Sequence, residues 1–257
     1  MHAYLISLNP LNPISINKFK KFSYHYYHIL QNILEELKMA KRLLVIGGVA
    51  AGLKSAAKAK RCDPSMEIVV YQEEDEISYA GCGLPYYISG IVKERDKLIS
   101  RTAGQFAQDG IRIRKHCRIE KIDTEHQKIS VRNLESDEVF EDRFDRLVLA
   151  TGSQPIHPKI EGVDLKNIFY LRSIFDADAL LQRIGSKEIR NVVIAGGGYI
   201  GLEMADSLIQ LGKRVTIVEL ASQILTLFDE DFAGILRQYL ERKGVKIFTS
   251  EGIQGFK

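Results

Sequence analysis

Gly81-Cys82-Gly83-Leu84-Pro85 places a thiol between two glycines, directly before residues suited to the first turn of a helix. A thiol at a helix N-terminus ionises more readily, and flanking glycines leave it unshielded. Such a cysteine can cycle as a mixed disulfide with a small thiol, or as a sulfenic acid after peroxide. No second cysteine stands four residues on or at C-x-x-C spacing, so a local redox pair is not expected. Pairing with distant Cys62 or Cys117 stays open. The competing reading of any lone cysteine is a buried structural one. Cys62, in Arg61-Cys62-Asp63-Pro64, and Cys117, in a strand after His116, both read as structural. His116 and Cys117 have no companion ligands, so no metal site is expected.

Two glycine loops carry the other chemistry. Gly47-Gly48-Val49-Ala50-Ala51-Gly52 follows the apolar run Leu43–Ile46 and precedes a helix from Leu53 to Arg61 and a strand from Met66 to Tyr71. Strand, glycine turn, helix, strand is the arrangement that seats a pyrophosphate on free helix N–H groups. Val49 stands where the second glycine of G-x-G-x-x-G is expected. The acid expected at the end of the second strand is replaced by Gln72, with Glu73 and Glu74 after it. A glutamine still bonds a ribose diol, without charge assistance.

The second loop is complete. Asn191–Ala195 is followed by Gly196-Gly197-Gly198-Tyr199-Ile200-Gly201, a helix to Leu211, and the strand Lys213–Val218 ending in Glu219, 18 residues past the last glycine. A carboxylate there accepts from both ribose hydroxyls and repels a 2′-phosphate, which predicts NADH over NADPH. Two such loops predict two nucleotide cofactors, for which a flavin and a nicotinamide are the usual pair.

The elements that must position these groups are legible in outline. Residues 111–150 hold short alternating segments, Ile111–Arg114, Lys128–Val131 and Val139-Phe140, which predict a small antiparallel meander. Arg146–Ala150 then returns as a buried strand into Thr151-Gly152-Ser153. With 257 residues and 45% hydrophobic residues the chain can bury a sizeable core, and a net charge of +3 is too weak to argue for nucleic acid or a membrane surface. No apolar run is long enough for a transmembrane helix. Three cysteines fit a reducing, cytoplasmic setting rather than a disulfide scaffold. Residues 1–38 differ from the rest: they hold four Lys, two Glu and no Arg, with a short amphipathic stretch at 28–37. They read as an appended tail, neither a secretory signal nor a transit peptide. Met39 opens the strand-and-loop sequence, and Glu35-Glu36 implies purine-rich codons just upstream, so Met39 is expected to be the true start.

The Gly47–Gly52 loop, Ser78–Gly90 around Cys82, Ala150-Thr151-Gly152 and Gly196–Glu203 together resemble the pyridine nucleotide–disulfide oxidoreductases. The resemblance is to the single-cysteine branch of coenzyme A–disulfide reductases, NADH oxidases and NADH-dependent polysulfide reductases, and runs from about Met39 to the last residue. It implies an α/β fold of two Rossmann-like three-layer domains and a small antiparallel meander. Residues 39–155 would be the first segment of an FAD-binding domain and 156–257 a truncated NAD(P)H-binding domain.

The resemblance also implies roles. FAD would be held by Gly47, Gly48, Val49, Ala50, Ala51, Gly52, Gln72, Glu73, Ile119, Ala150, Thr151 and Gly152. NADH or NADPH would be held by Gly196, Gly198, Tyr199, Ile200, Gly201 and Glu219, with Tyr199 over the flavin and moving aside for the nicotinamide. Cys82 would be the catalytic thiol, and Lys58, Arg61 and Ser78 would contact coenzyme A or a similar small thiol or disulfide. Oxidase and peroxidase members place a His in the first loop; here that place is Ala50, which favours disulfide, persulfide or polysulfide reduction over the alternative of an NADH oxidase. Gln72 departs from the usual Glu, and Gly81 from a common Asn. The family's later flavin-gripping segment and its C-terminal dimerisation domain are absent. The full-length protein is therefore expected to be a homodimer and this chain a truncated form, with a nucleotide-binding fragment without catalysis as the remaining alternative.

Overall fold

The structure, a computed structural model, describes residues 41–186 and 188–257. The tail, its amphipathic stretch and Met39 lie outside them. Strand β1 (Arg42–Ile46) has Leu43 to Ile46 buried without alternation, as a central parallel strand requires. Helix α1 (Ala51–Cys62) leads to β2 (Glu67–Tyr71), which pairs in parallel with β1. A tight 3₁₀ turn (Gly81–Gly83) opens into the short helix α2 (Leu84–Ile88), and a capping box at Thr102 and Gln105 starts α3 (Ala103–Gln108). Strands β3 (Ile111–Arg114) and β7 (Arg146–Leu149) complete a parallel sheet of order β3-β2-β1-β7. Strand order reverses at β1, so the loops after β1 and β7 flank the crevice where open α/β sheets bind ligands.

The meander consists of β4 (Cys117–Asp123), β5 (Lys128–Asn133) and β6 (Val139–Arg143), all antiparallel. Ile111–Arg114 does not belong to it. Its alternation reflects an edge strand of the first sheet, with one face on the core and the other outward; period-two patterning cannot distinguish the two settings. His116, at φ 52°, turns the chain from β3 into β4, and the Cys117 N–H donates to the Gln72 carbonyl at 2.9 Å.

Helix α4 (Ile174–Ile184), capped by Ser173 and Asp176, leads to the second parallel sheet, β10-β9-β8. It is built from β8 (Asn191–Ala195), α5 (Tyr199–Gln210), β9 (Arg214–Val218), α6 (Glu230–Arg242) and β10 (Lys246–Phe248). Val193 in β8 and Leu149 in β7 stay exposed, at 59% and 62%, unusual for parallel strands, which are normally covered on both faces.

The buried side chains divide in a way the chain order does not suggest. Leu43, Val45 and Ile68 pack with α1 on one side of the first sheet, and Leu44, Val69 and Tyr71 pack with the meander on the other. The third cluster joins Leu84 and Ile88 of α2 to Leu202, Ala205 and Leu208 of α5. The helix after Cys82 is thus built into the core of the second unit. A five-residue helix has no stability of its own; its two fully buried aliphatic side chains, at about 2 kcal/mol each, fix it there.

One polar network joins meander to sheet. Arg42 donates twice to the Asp142 carboxylate at 2.9 Å, Tyr71 donates its hydroxyl to the same group at 2.5 Å, and Arg42 also pairs with Glu67. Burial alone would raise the Asp142 pKa, but the bonds from Arg42 and Tyr71 outweigh it and hold the carboxyl below the usual range. A depressed folded-state pKa stabilises the fold above the unfolded carboxylate pKa, about 3.9, and that stability is lost as pH falls through the lower folded value. Asp142→Asn is expected to cost about 2 kcal/mol at pH 7. In urea unfolding the gap from the parent protein should close in acid, and a gap independent of pH would contradict this assignment.

Candidate functional site: two dinucleotide loops and an exposed thiol

The two glycine loops are built alike. Gly47 and Gly196 have φ of 107° and 105°, a region closed to side-chain-bearing residues, and each donates its N–H to the end of the neighbouring strand, Tyr71 O at 2.8 Å and Val218 O at 2.9 Å. A Cβ on Gly52 would collide with the Gly47 carbonyl, and one on Gly201 with the Gly196 carbonyl. These contacts bring the helix start against the strand end. Gly198 is different: no atom lies within 4 Å of where its Cβ would be. Its freedom faces open space at the start of α5, whose first-turn N–H groups have no partner within the helix. A phosphate fits that space.

The second peptide of each loop is held from both sides. Gly48 N–H donates to Gln72 Oε1 at 2.7 Å, and its carbonyl accepts from Ser78 N–H at 2.9 Å. Gly197 N–H donates to Glu219 Oε2 at 2.6 Å, and its carbonyl accepts from Leu225 N–H at 2.9 Å. Ser78 and Leu225 both adopt the left-handed region, at φ 53° and 48°, to make those bonds. Gln72 and Glu219 are therefore loop struts. The second oxygen of Glu219 accepts from Ala221 N–H at 2.7 Å, so ribose hydroxyls would share a carboxylate already engaged by backbone.

Beside the first loop lies a pocket of about 450 Å³, open on one side. The structure brings Gly47, Gln72, Glu73, Ile119 and Thr151 to its wall. Ala150 lies against Gly47, whose Cβ, if present, would strike the Ala150 carbonyl, and Gly152, at φ 70°, follows. Gly48 and Gly52 are buried behind the loop; Val49 packs on the second unit's core, and Ala50 and Ala51 start α1 at the surface. The pocket also takes in charged residues that the sequence did not single out. Arg118 spans it to Glu73 at 2.6 Å. Arg172 binds Glu74 at 2.5 Å and the Ser153 carbonyl at 2.9 Å, and the other Glu74 oxygen is buried without a partner among the described residues. Arg172 precedes the Ser173 cap of α4 and carries no motif of its own; only the fold brings it here. A cleft edged by Gly47, with buried Gln72 in its wall, charged residues along its mouth and an unpartnered Glu74 oxygen among the described residues, fits a dinucleotide such as FAD.

Cys82 is exposed and sits in the 3₁₀ turn that runs straight into α2. Gly81 has nothing near its Cβ position. Cys117 is buried, and burial pushes its thiol pKa up, which suits a structural cysteine. Cys62 is exposed at the end of α1. Lys58 and Arg61 share the exposed face of that helix, while Ser78 is half-buried beside the first loop. Tyr199 is 55% exposed at the start of α5, its ring edge-on to Phe228 at 6.1 Å. Tyr87, two residues past Pro85, donates to Asp178 of α4 at 3.0 Å, and Arg95 binds both Asp178 and Glu76. Burial, then the Asp178 contact, pushes the Tyr87 pKa up. Among the described residues no group of three potential ligands gathers as a metal site, and no helix is long and apolar enough to cross a membrane.

The chain belongs to the pyridine nucleotide-disulphide oxidoreductases, whose family pattern matches residues 41–257. Members of this oxidoreductase family use FAD with NADH or NADPH. A relative from Methanocaldococcus jannaschii named NADH oxidase is 39% identical over 215 residues, 83% of this chain and 48% of its own. The NAD(P)H sulfur oxidoreductase (CoA-dependent) of Pyrococcus abyssi is 35% identical over 80% of this chain and 46% of its own. Among solved structures, reduced CoADR-RHD of Bacillus anthracis superposes with a TM-score of 0.81 at 32% identity, covering 85% of this chain and 40% of that one. The chain thus spans about half the length of the curated relatives it matches.

The two kinds of glycine separate experimentally. Gly201→Ala should cost about 2–3 kcal/mol in urea unfolding, because backbone must shift. Gly198→Ala should leave stability within about 0.5 kcal/mol, yet weaken NAD⁺ binding at least tenfold by calorimetry. Equal effects of the two substitutions on stability would show that the Gly198 space is not reserved for a ligand.

Proposed function

We propose that the protein is an FAD-dependent NADH:disulfide oxidoreductase that reduces coenzyme A disulfide, a coenzyme A persulfide or a polysulfide through Cys82. The observation that carries the proposal is the placement of an exposed, glycine-flanked thiol on a helix seated against the helix of the second dinucleotide loop. Residues 39–155 and 156–257 act as the FAD and nicotinamide units. The α1 N-terminus and the Gly47–Gly52 loop would hold FAD, together with Gln72, Glu73, Ile119 and Ala150–Gly152. Bound there, the flavin would supply hydride and electron-pair transfer between NADH and the thiol.

The chain's own residues then do three things. Gly196–Gly201 and Glu219 hold NADH, and Tyr199 shields the site until the nicotinamide enters. The Cys82 thiolate attacks one sulfur of the substrate; the S–S bond breaks, one thiol leaves with a proton, and Cys82 becomes a mixed disulfide with the other. An incoming electron pair and a proton release that second thiol and restore the Cys82 thiolate. In sum, one disulfide, one NADH and one proton give two thiols and NAD⁺. Lys58 and Arg61, two exposed cations one turn apart, suit the phosphates of a coenzyme A, with Ser78 nearer the loop. The full-length protein works as a homodimer in the cytoplasm, a compartment in which exposed Cys62 and Cys82 stay reduced.

A second reading, an NADH oxidase, is supported by the name of the Methanocaldococcus relative. Ala50 argues against it, since a methyl group offers no general acid for oxygen chemistry.

Cys82→Ser is expected to abolish NADH-dependent coenzyme A disulfide reduction by at least a hundredfold in the full-length protein, with flavin absorbance per chain unchanged. Retained disulfide turnover would overturn the assignment of the thiol. Unchanged NADH-driven oxygen consumption alongside absent disulfide turnover in the parent protein would favour the oxidase.

Glu219 is expected to set cofactor choice, because residues 220–229 contain no Lys or Arg to meet a 2′-phosphate. Glu219→Gln keeps the acceptor for Gly197 N–H but turns an amide NH2 toward Ala221 N–H, so it should cost about 1–3 kcal/mol in urea unfolding and lower the NADH-over-NADPH ratio of kcat/KM about tenfold. An unaltered ratio would assign the preference elsewhere.

A further inference from the structure

Among the described residues Cys82 makes no side-chain hydrogen bond, and the glycines on either side give it no neighbouring side chain in the chain to lean on. Its position is therefore inherited from the backbone of the 3₁₀ turn and α2. The turn and α2 are held locally by residues 92–98, through Ala80 N–H to the Leu98 carbonyl at 2.8 Å and Val92 N–H to the Tyr86 carbonyl at 3.0 Å, and among the described residues three contacts seat them on α4 and α5. Leu84 and Ile88 are 2% and 1% exposed in the second unit's core. Tyr87 reaches Asp178 near the surface. Ser207, in the middle of α5 and only 4% exposed, donates its hydroxyl to the Pro85 carbonyl at 2.9 Å. The Ser89 N–H donates to that same carbonyl, also at 2.9 Å, so it carries two donors.

Ser207 lies eight residues beyond Tyr199, on the helix whose first turn forms the nicotinamide loop. Serine hydroxyls inside helices usually return to their own backbone or face water. This one is buried and crosses to another element, 122 residues away in sequence. A buried hydroxyl that lost this partner would be costly, so the bond fixes one register between the helices rather than a range. Apolar packing of Leu84 and Ile88 alone would tolerate sliding and rotation; a single directional bond does not.

We infer that Ser207 is a positioning residue for the redox step: it locks the Cys82 helix to the nicotinamide-loop helix and so sets where the thiol stands. The inference rests on Cys82 being the redox thiol only for its functional meaning. The structural claim is read from thiol and amide chemistry, without turnover.

The test compares Ser207→Ala and Ser207→Thr with the parent chain. Site-resolved iodoacetamide labelling follows Cys82 and Cys62 separately by mass spectrometry, and hydrogen exchange follows the peptide containing Ser89. In Ser207→Ala the Cys82 labelling rate should change at least threefold and Ser89 protection should fall about tenfold. Cys62 labelling and calorimetric NAD⁺ affinity should both stay within twofold. Ser207→Thr, which keeps the hydroxyl, should restore both readouts toward the parent values. Unchanged Cys82 labelling and Ser89 exchange in Ser207→Ala would overturn the inference; so would equal changes at Cys62, which would mean general loosening. If the alanine variant does not fold, Ser207→Cys, a weaker donor of similar size, must reproduce the Cys82-specific change, and failure to do so counts equally against it. Loss of disulfide turnover in Cys82→Ser bears on the thiol's role and leaves this comparison untouched.

Discussion

The structure depends most on how one peptide is held in each glycine loop. Gly48 and Gly197 each donate to a strand-end side chain and accept from a left-handed residue further along. With that peptide locked, the next turn of chain must present its N–H groups outward, and the helix that follows starts against the strand that precedes it. Backbone N–H groups at a helix start of this kind suit a phosphate without any cation. The same device appears twice with different chemistry: neutral Gln72 in the first loop, anionic Glu219 in the second. Both give the same geometry, so the strut needs an oxygen at that place and the charge is free to serve selection among nucleotides.

The second organising fact is the allegiance of the cysteine helix. In sequence it follows the first loop; in packing it belongs to the second. The exposed thiol thereby stands at the start of a helix packed against the helix that follows the second glycine loop. A thiol carried on the first sheet alone would have no fixed relation to the nicotinamide loop. Its helix is seated on α5, and Tyr87, Asp178 and Arg95 tie it to α4 as well.

Much of this was legible in the sequence because parallel strands, glycine turns and helix starts follow local rules. The strands at 42–46 and 191–195, the loops after them and the exposed Cys82 turn fall where residue types demand. Ile111–Arg114 shows the limit: alternation marks a strand with one buried face, and both an edge of a parallel sheet and a meander strand satisfy it. The uncovered face of β8 also has no local sign, since Val192, Val193 and Ile194 are all apolar and read as buried. Arg172, Arg118 and Ser207 could not be found from motifs, because each acts on a partner brought close only by the fold. Gln72 and Glu219 were visible as polar strand ends, but their bonds to the loop backbone were not, because ribose recognition and loop bracing call for the same acceptor.

The central claim is that reducing equivalents entering at the second loop finish on Cys82. An anaerobic titration of the flavin-loaded full-length protein with NADH, followed by absorbance, tests it most directly. The account predicts that protein first treated with coenzyme A disulfide, so that Cys82 is held as a mixed disulfide, and then freed of excess reagent, takes up one more electron pair per chain than the Cys82→Ser variant treated alike before excess NADH accumulates. Equal uptake by the two proteins would contradict it, and would leave Cys82 outside the path of the electrons.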